Sequence, residues 1–169
     1  TSVAEPTLAQ LLRDVDRDEL VAREQLATAN VRPRLRMTTL YYIANLTRGL
    51  VVGTGNRTEI AIGYFTKYGD GGVDLLPIAD LYKHEVRELA AVLGVPQSVI
   101  QRPPSAGLWQ GQTDEGEIGL TYAQLDEALA AIETGDTARI DPQVLERVQR
   151  MHAASEHKRA PTPVFRRPR

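Results

Sequence analysis

The chain has 169 residues, 25% of them charged, and a formal net charge of -2, which is the profile of an ordinary globular domain. It contains no cysteine, so disulfides, cysteine-ligated zinc and thiol nucleophiles are excluded. The small net charge gives no sign of a nucleic-acid partner, and without a signal sequence or a membrane-spanning apolar run we expect a cytoplasmic domain with no membrane contact.

The first part of the chain predicts helices. Apolar spacing within residues 1–29 indicates two short amphipathic helices, and a stripe of apolar residues predicts another helix over residues 36–48. Arg32, Arg34 and Arg36 then stand at the start of that helix, where its dipole disfavours cations unless an anion offsets them. They indicate either an anionic ligand or a solvated face.

The next segment predicts two strands around a helix. Leu50–Val52 is typical of a strand buried in a parallel sheet, and residues 73–78 form a second candidate that a proline confines to an edge or an end. Between them Asn56 is predicted to cap a helix, with Glu59 completing a capping box. A glycine-bearing loop over residues 64–72 follows.

The remaining elements are mostly helical. Asp80 is predicted to cap a helix, residues 101–119 to form a long loop, and the capping box in 121–124 and the pair Asp141–Pro142 to open two more helices. The basic, proline-rich tail over residues 155–169 predicts a disordered end when taken alone. The apolar residues predicted to face inward from the first of these helices are Val86, Leu89, Ala90 and Leu93.

A glycine-rich turn after the first predicted strand indicates phosphate binding. Gly53-Thr-Gly55 leads into a helix, whose amide groups and dipole receive phosphate. The run lacks only the third glycine of the dinucleotide fingerprint, where Thr58 stands, and Asp74 lies where that fingerprint places its ribose-binding acid. A nicotinamide-dependent dehydrogenase is therefore one hypothesis, and a tight turn with a capping box is another.

Several polar residues have two interpretations from local sequence. Glu59 either closes its helix cap or binds a hard cation such as Mg²⁺ beside phosphate. His84 and His152 are predicted to be structural or solvated. His157 joins Lys158 in a cationic cluster that matches a phosphate or carboxylate.

Five strings in order resemble the ammonia-dependent NAD synthetases from about residue 30 to residue 165. They are NVRPRLRM, LVVGTGNRTEIAIGYFTKYGDGGVDLLPIADLYKHEV, PPSAGLWQGQTDEGEIG, TYAQLD and EHKRAPTPVF. The resemblance implies an α/β fold, an adenine-nucleotide-hydrolase-like (Rossmann-like) parallel sheet flanked by helices and incomplete at its N-terminus. Residues 1–169 are then one partial domain, with leading helices in 1–29, the matching region in 30–165 and a tail in 166–169.

The same resemblance implies a homodimeric ligase of NAD biosynthesis. It amidates deamido-NAD with ammonia, using ATP and Mg²⁺, through an NAD-adenylate intermediate. By resemblance, ATP is held by Thr54, Lys83 and Ser105, and Mg²⁺ by Glu59. The residues implied for deamido-NAD are Arg34, Lys67, Asp74, His157 and Lys158. The loop over residues 102–115 is expected to close over the site.

One family motif is absent from these residues. The synthetases carry a Ser-Gly-Gly-x-Asp-Ser pyrophosphate loop, and no such string occurs in this sequence. The isolated chain is therefore expected to be inactive until that loop is supplied. A non-catalytic module that binds deamido-NAD or dimerises is the alternative function.

Overall fold

The computed structural model describes residues 17–167, with side chains from residue 23 onward. This part of the chain is mostly helical. Its helices are α1 (Arg17–Thr47), α2 (Arg57–Ile62), α3 (Lys83–Val92), α4 (Gln97–Ile100), α5 (Asp114–Ile118), α6 (Tyr122–Thr134), α7 (Pro142–Ala154) and α8 (Glu156–Arg159).

Helix α1 is longer than predicted. It runs unbroken for 31 residues, so the helix predicted to begin at Arg36 starts at least nineteen positions earlier, at Arg17. The first of the two short helices predicted in residues 1–29 lies outside the described residues. Pro33 sits inside α1, where proline removes a helical hydrogen bond, but it is buried beside Gly69 in a packed contact. The arginines of this segment therefore lie within a helix rather than before one, and the dipole argument for an anion was wrong.

Three predicted helix starts are confirmed. Asn56 Oδ1 accepts the Glu59 amide hydrogen at 3.0 Å, and Glu59 Oε2 accepts the Asn56 amide hydrogen at 3.2 Å. The same reciprocal pair links Thr121 and Gln124 at the start of α6. Asp141 caps α7, and a proline follows it at the first helical position. Each of these caps joins residues at most three apart, which local sequence can specify.

The predicted cap of α3 is wrong. The helix begins after Tyr82, whose amide hydrogen is accepted by Glu85 Oε2 at 2.7 Å, while Asp80 is exposed and lies 3.7 Å from Arg57. A turn that ends at Leu81 separates Asp80 from the helix. The predicted inward face is also only partly covered, because two of its members remain exposed, Leu89 and Leu93.

The two predicted strands meet in a single parallel bridge between Val52 and Leu75. The Gly53 amide hydrogen is accepted by the Leu75 carbonyl at 2.8 Å, and the Asp74 amide hydrogen by the Val51 carbonyl at 2.9 Å. The parallel direction is as predicted, but residues 17–167 contain no strand and so no parallel sheet. Val52 and Leu75 remain about half exposed because no further strand packs on them within this part of the chain.

Two segments predicted to lack structure contain helices. Helix α5 interrupts the predicted loop over residues 101–119, and Thr113 Oγ1 accepts the Gly116 amide hydrogen at its start. Helix α8 lies in the tail that was predicted to be disordered. Arg159 fixes it by donating to the carbonyls of Ile60 at 3.3 Å and Ala61 at 3.0 Å.

The core lies where α2, α6 and α7 meet. Tyr122, Leu125 and Ala128 of α6 are at most 1% exposed, and Val148 of α7 is fully buried against them. These contacts fix the orientation of α2, which follows the glycine-rich turn. No helix within residues 17–167 is both long enough and apolar enough to cross a membrane.

Candidate functional site

A cavity of about 630 Å³ lies between α1, the turn after the parallel bridge, the 63–73 loop and α8. Five of the nine predicted site residues line it, although they come from four separate parts of the chain. They are Arg34, Thr54, Lys67, His157 and Lys158. The fold therefore brings together side chains that the sequence could connect only by resemblance.

Two cationic side chains of the cavity, Arg34 and Lys67, are held by backbone carbonyl groups. Arg34 Nε donates to the Lys67 carbonyl at 3.4 Å, and Lys67 Nζ donates to the carbonyl of His157. These contacts link α1 to the 63–73 loop and that loop to α8. The positions of these two cations in the cavity wall thus depend on all three elements.

Lys158 has a structural role that sequence analysis missed. Its Nζ donates to the carbonyls of Gly63 and Phe65, both at 2.7 Å, and lies 5.3 Å from the centroid of the Phe65 ring. Burial lowers the pKa of the Lys158 ammonium below its ordinary value. The neighbouring Arg159 reaches the end of α2 in the same way, so α8 is held against carbonyls more than ninety residues away in sequence.

Asp74 and Ser105 lie outside the lining of the cavity. Asp74 Oδ2 accepts the Val51 amide hydrogen at 2.8 Å, and Oδ1 accepts the Tyr41 hydroxyl hydrogen at 3.0 Å. Both oxygens of Asp74 thus join α1 and the segment before the glycine-rich turn to the second predicted strand. Ser105 is exposed and its Oγ accepts the Gly107 amide hydrogen at 3.1 Å.

Glu59 and Lys83 form an ion pair outside the lining of the cavity. Glu59 Oε1 and Lys83 Nζ are 2.8 Å apart, and each side chain is 17% exposed. Lys83 Nζ also lies 4.7 Å from the centroid of the buried Tyr122 ring. The Glu59–Lys83 pair joins α2 to the first residue of α3, and it joins one residue predicted to bind metal to one predicted to bind ATP.

Two tyrosines connect the Glu59–Lys83 pair to the cavity. The Tyr122 hydroxyl lies 2.9 Å from Asp114 Oδ2 and 3.3 Å from Glu59 Oε1, and the Tyr64 hydroxyl lies 3.2 Å from Asp114 Oδ1 and 2.8 Å from Glu117 Oε2. Burial, strengthened by these carboxylates, raises the pKa of both phenols above the ordinary value. Both tyrosines therefore stay protonated and can donate to only one carboxylate each at a time.

Sequence analysis missed this polar network. Asp114 falls in the segment predicted to be a long loop, and neither Tyr64 nor Tyr122 was predicted to belong to the site. The one usable signal was the run of acids in Asp-Glu-Gly-Glu, residues 114–117, within a segment otherwise rich in proline and glycine. Nothing in that run indicates which tyrosines face it.

Comparison with solved structures defines the class of protein. The chain superposes with a TM-score of 0.74 and 41% identity on the structure of NMN synthetase from Francisella tularensis, covering 88% of this chain and 63% of that one. It also matches the NH3-dependent NAD synthetase from Campylobacter jejuni with a TM-score of 0.66 and 27% identity, covering 92% of this chain and 60% of that one. The fold is that of the synthetases of nicotinamide nucleotides.

The sequence identifies the family. The NAD synthase family model matches residues 4–162, and the NH(3)-dependent NAD(+) synthetase of Archaeoglobus fulgidus is 56% identical over 142 residues. This chain belongs to the NAD synthase family. The alignment covers 84% of this chain and 57% of the Archaeoglobus protein, so the chain spans less than two thirds of the length of that relative.

Proposed function

We propose that this chain is the substrate-binding part of an NH3-dependent NAD synthetase, a ligase that converts deamido-NAD into NAD. The observation that carries this proposal is the convergence of Arg34, Lys67 and Lys158 on one cavity, which a network of tyrosines and carboxylates connects to the Glu59–Lys83 pair. Two nucleotides with several phosphates need such a concentration of cations, because like charges repel strongly where water is scarce.

The two substrates would lie side by side. The cationic side chains Arg34, Lys67 and Lys158 would hold the anionic dinucleotide, while ATP would be bound by Thr54 of the cavity wall and by Lys83. Within residues 17–167 no group of three histidine or acidic side chains could hold a metal alone. A single carboxylate such as Glu59 nevertheless fits Mg²⁺, which is usually bound by one or two carboxylates together with substrate phosphates. When bound, that ion would neutralise charge on the ATP phosphates.

The reaction would proceed in two displacements. An oxygen of the nicotinate carboxylate attacks the α-phosphorus of ATP, and the bond to the departing pyrophosphate breaks. Ammonia then attacks the activated acyl carbon, AMP leaves with the oxygen, and nitrogen loses a proton to give the amide. Neither step needs a covalent nucleophile from the protein, so its residues would act by positioning and by neutralising charge.

A second substrate is favoured by the comparison with the Francisella structure. That protein is an NMN synthetase and is 41% identical to this chain, so nicotinate mononucleotide is a candidate acceptor beside deamido-NAD. Both carry the same nicotinate carboxylate and differ in the adenylate half. An assay with each acceptor separates the two activities.

Calorimetric titration of the chain with deamido-NAD, nicotinate mononucleotide and Mg²⁺-ATP tests the proposal. Binding of one acceptor and of ATP would support the proposal. If none of the three ligands gave a heat of binding, the non-catalytic dimerisation module would be favoured. Turnover is measured by chromatography of the NAD formed from deamido-NAD, ATP, Mg²⁺ and ammonium. We expect turnover to appear when the Ser-Gly-Gly-x-Asp-Ser segment of a relative is added.

Two variants test whether the cavity binds deamido-NAD. Lys67→Met should weaken deamido-NAD binding by about tenfold, because it removes a charge-assisted contact to phosphate. Arg150→Met is the matched control, since Arg150 is an exposed cation of α7 that lies away from the cavity lining. An equal loss in both variants would show a general effect of net charge. The expected homodimer is checked by sedimentation of the same samples.

A further inference from the structure

A buried carboxylate lies behind the Glu59–Lys83 pair and has no part in the reaction described above. Asp126 of α6 is 4% exposed. Burial of an ionised side chain is costly unless its oxygens are well supplied with hydrogen bonds. The hydrogen-bond donors that contact Asp126 therefore indicate its role.

Those donors come from the sequence neighbours of the Glu59–Lys83 pair. Asp126 Oδ1 accepts the hydroxyl hydrogen of Thr58, the residue before Glu59. Asp126 Oδ2 accepts the amide hydrogen of His84, the residue after Lys83, at 3.0 Å, and lies 2.9 Å from Nδ1 of the same residue. One carboxylate thus binds the sequence neighbour of each member of the pair, through the Thr58 hydroxyl and the His84 amide.

Thr58 completes the connection. Its side chain is fully buried, and its Oγ1 accepts the Lys83 amide hydrogen at 3.1 Å while donating to Asp126. The first two amide hydrogens of α3 are therefore accepted by side chains from α2 and α6, because Tyr82 at the N-cap position provides no side-chain acceptor. The start of α3 is fixed by contacts from other helices.

We propose that Asp126 is a positioning residue, which with Thr58 holds the start of α3 against α2 so that Lys83 and Glu59 meet at the ATP phosphates. The proposal rests on the proposed function for the identity of that ligand. The geometric part does not, because it concerns the position of the Lys83 ammonium in the protein without ligand. Asp126 touches neither substrate in this scheme.

The lysine side chains supply a measurement that needs no ligand. The chain has three lysines, at positions 67, 83 and 158, and acetylation of each by an N-hydroxysuccinimide ester can be followed by mass spectrometry. Paired Lys83 should react slowly. In Asp126→Asn and in Thr58→Val, its acetylation should rise severalfold relative to Lys67 in the same folded sample.

Matched variants separate positioning from general destabilisation. Thr58→Ser keeps the hydroxyl and should react like the unaltered protein, whereas Thr58→Val keeps the shape and loses both hydrogen bonds. Asp141→Ala removes the cap of α7, and this loss of stability should leave Lys83 acetylation unchanged. If Asp126→Asn does not fold, the comparison of Thr58→Ser with Thr58→Val tests the proposal alone. Unchanged Lys83 reactivity in folded Thr58→Val, or an equal rise in Asp141→Ala, would overturn the proposal.

Ligand binding gives a second readout. Asp126→Asn should weaken Mg²⁺-ATP binding by about tenfold and change deamido-NAD binding by less than about twofold, because only the ATP residues depend on the start of α3. A parallel loss for both ligands would indicate a structural role only. Failure of the unaltered protein to bind ATP would count against the proposed function, and the acetylation result would still decide the positioning role.

Discussion

Lys158→Met should destabilise the protein as well as affect substrate binding. The methionine keeps much of the stem that packs on the Phe65 ring but removes both donors to the carbonyls of Gly63 and Phe65. Hydrogen bonds from a charged group contribute about 1.5–3 kcal/mol each, and the desolvation of the half-buried ammonium offsets part of that sum. We expect a net loss of about 2–3 kcal/mol in the free energy of unfolding.

Thermal denaturation followed by circular dichroism measures this loss. For a chain of this length each kcal/mol lowers the melting temperature by about 2–4 °C, so Lys158→Met should lower it by about 4–12 °C. Arg150→Met makes the same change of charge at an exposed position and should shift it by little. A melting temperature for Lys158→Met within the range of that control would refute the structural role.

Three further changes test other parts of the structure. Gly63→Ala should lower the free energy of unfolding by well over about 2 kcal/mol, because its Cβ would lie 2.1 Å from the Cβ of Ser155, the residue after α7. Gly135→Ala, also at positive φ but with open space around it, should lower it by only about 1 kcal/mol. Denaturant titrations measure both values, and equal losses would contradict the clash. The hydrogen bond to Asp126 raises the pKa of His84 above its ordinary value of 6.5. The His84–Asp126 pair should therefore stabilise the fold fully below pH 6.5 and lose its contribution as the pH rises through the raised pKa. An NMR titration should show a lower His84 pKa in Asp126→Asn, and an unchanged pKa would count against the contact. Glu59→Gln breaks the ion pair with its lysine partner and should cost about 1–3 kcal/mol while weakening Mg²⁺-ATP binding in calorimetry, and unchanged ATP affinity would leave the residue a purely capping role.

Short-range features of the fold were predictable from the sequence. The caps at Asn56, Thr121 and Asp141 depend on residues within one helical turn, so their side chains specify them directly. The long helix α1 was not predictable, because Pro33 and the arginines around it signal a break that tertiary contacts override. Tertiary contacts also determine whether the two predicted strands become part of a sheet. Periodicity marks residues able to pair, but the number of strands depends on partners elsewhere in the chain.

The candidate site likewise combines residues that the sequence identified with long-range contacts that it did not. Resemblance supplied the cavity residues Arg34, Lys67 and Lys158, because their motifs occur in order along the chain. It did not reveal what holds them. The carbonyls that bind Lys158 lie more than ninety positions away, and Asp126 reaches His84 over 42 positions, so neither contact leaves a pattern in local sequence.

The dependence of the cavity on α8 has a consequence for synthesis on the ribosome. Residues 156–159 are made long after α1 and the 63–73 loop, yet Lys158 and Arg159 satisfy carbonyls in and just after α2. Until they emerge from the exit tunnel, those oxygens must be solvated by water or bound by a chaperone. The nascent protein therefore completes this cavity only after residues 156–159 have been made, more than ninety positions after the carbonyls that they bind.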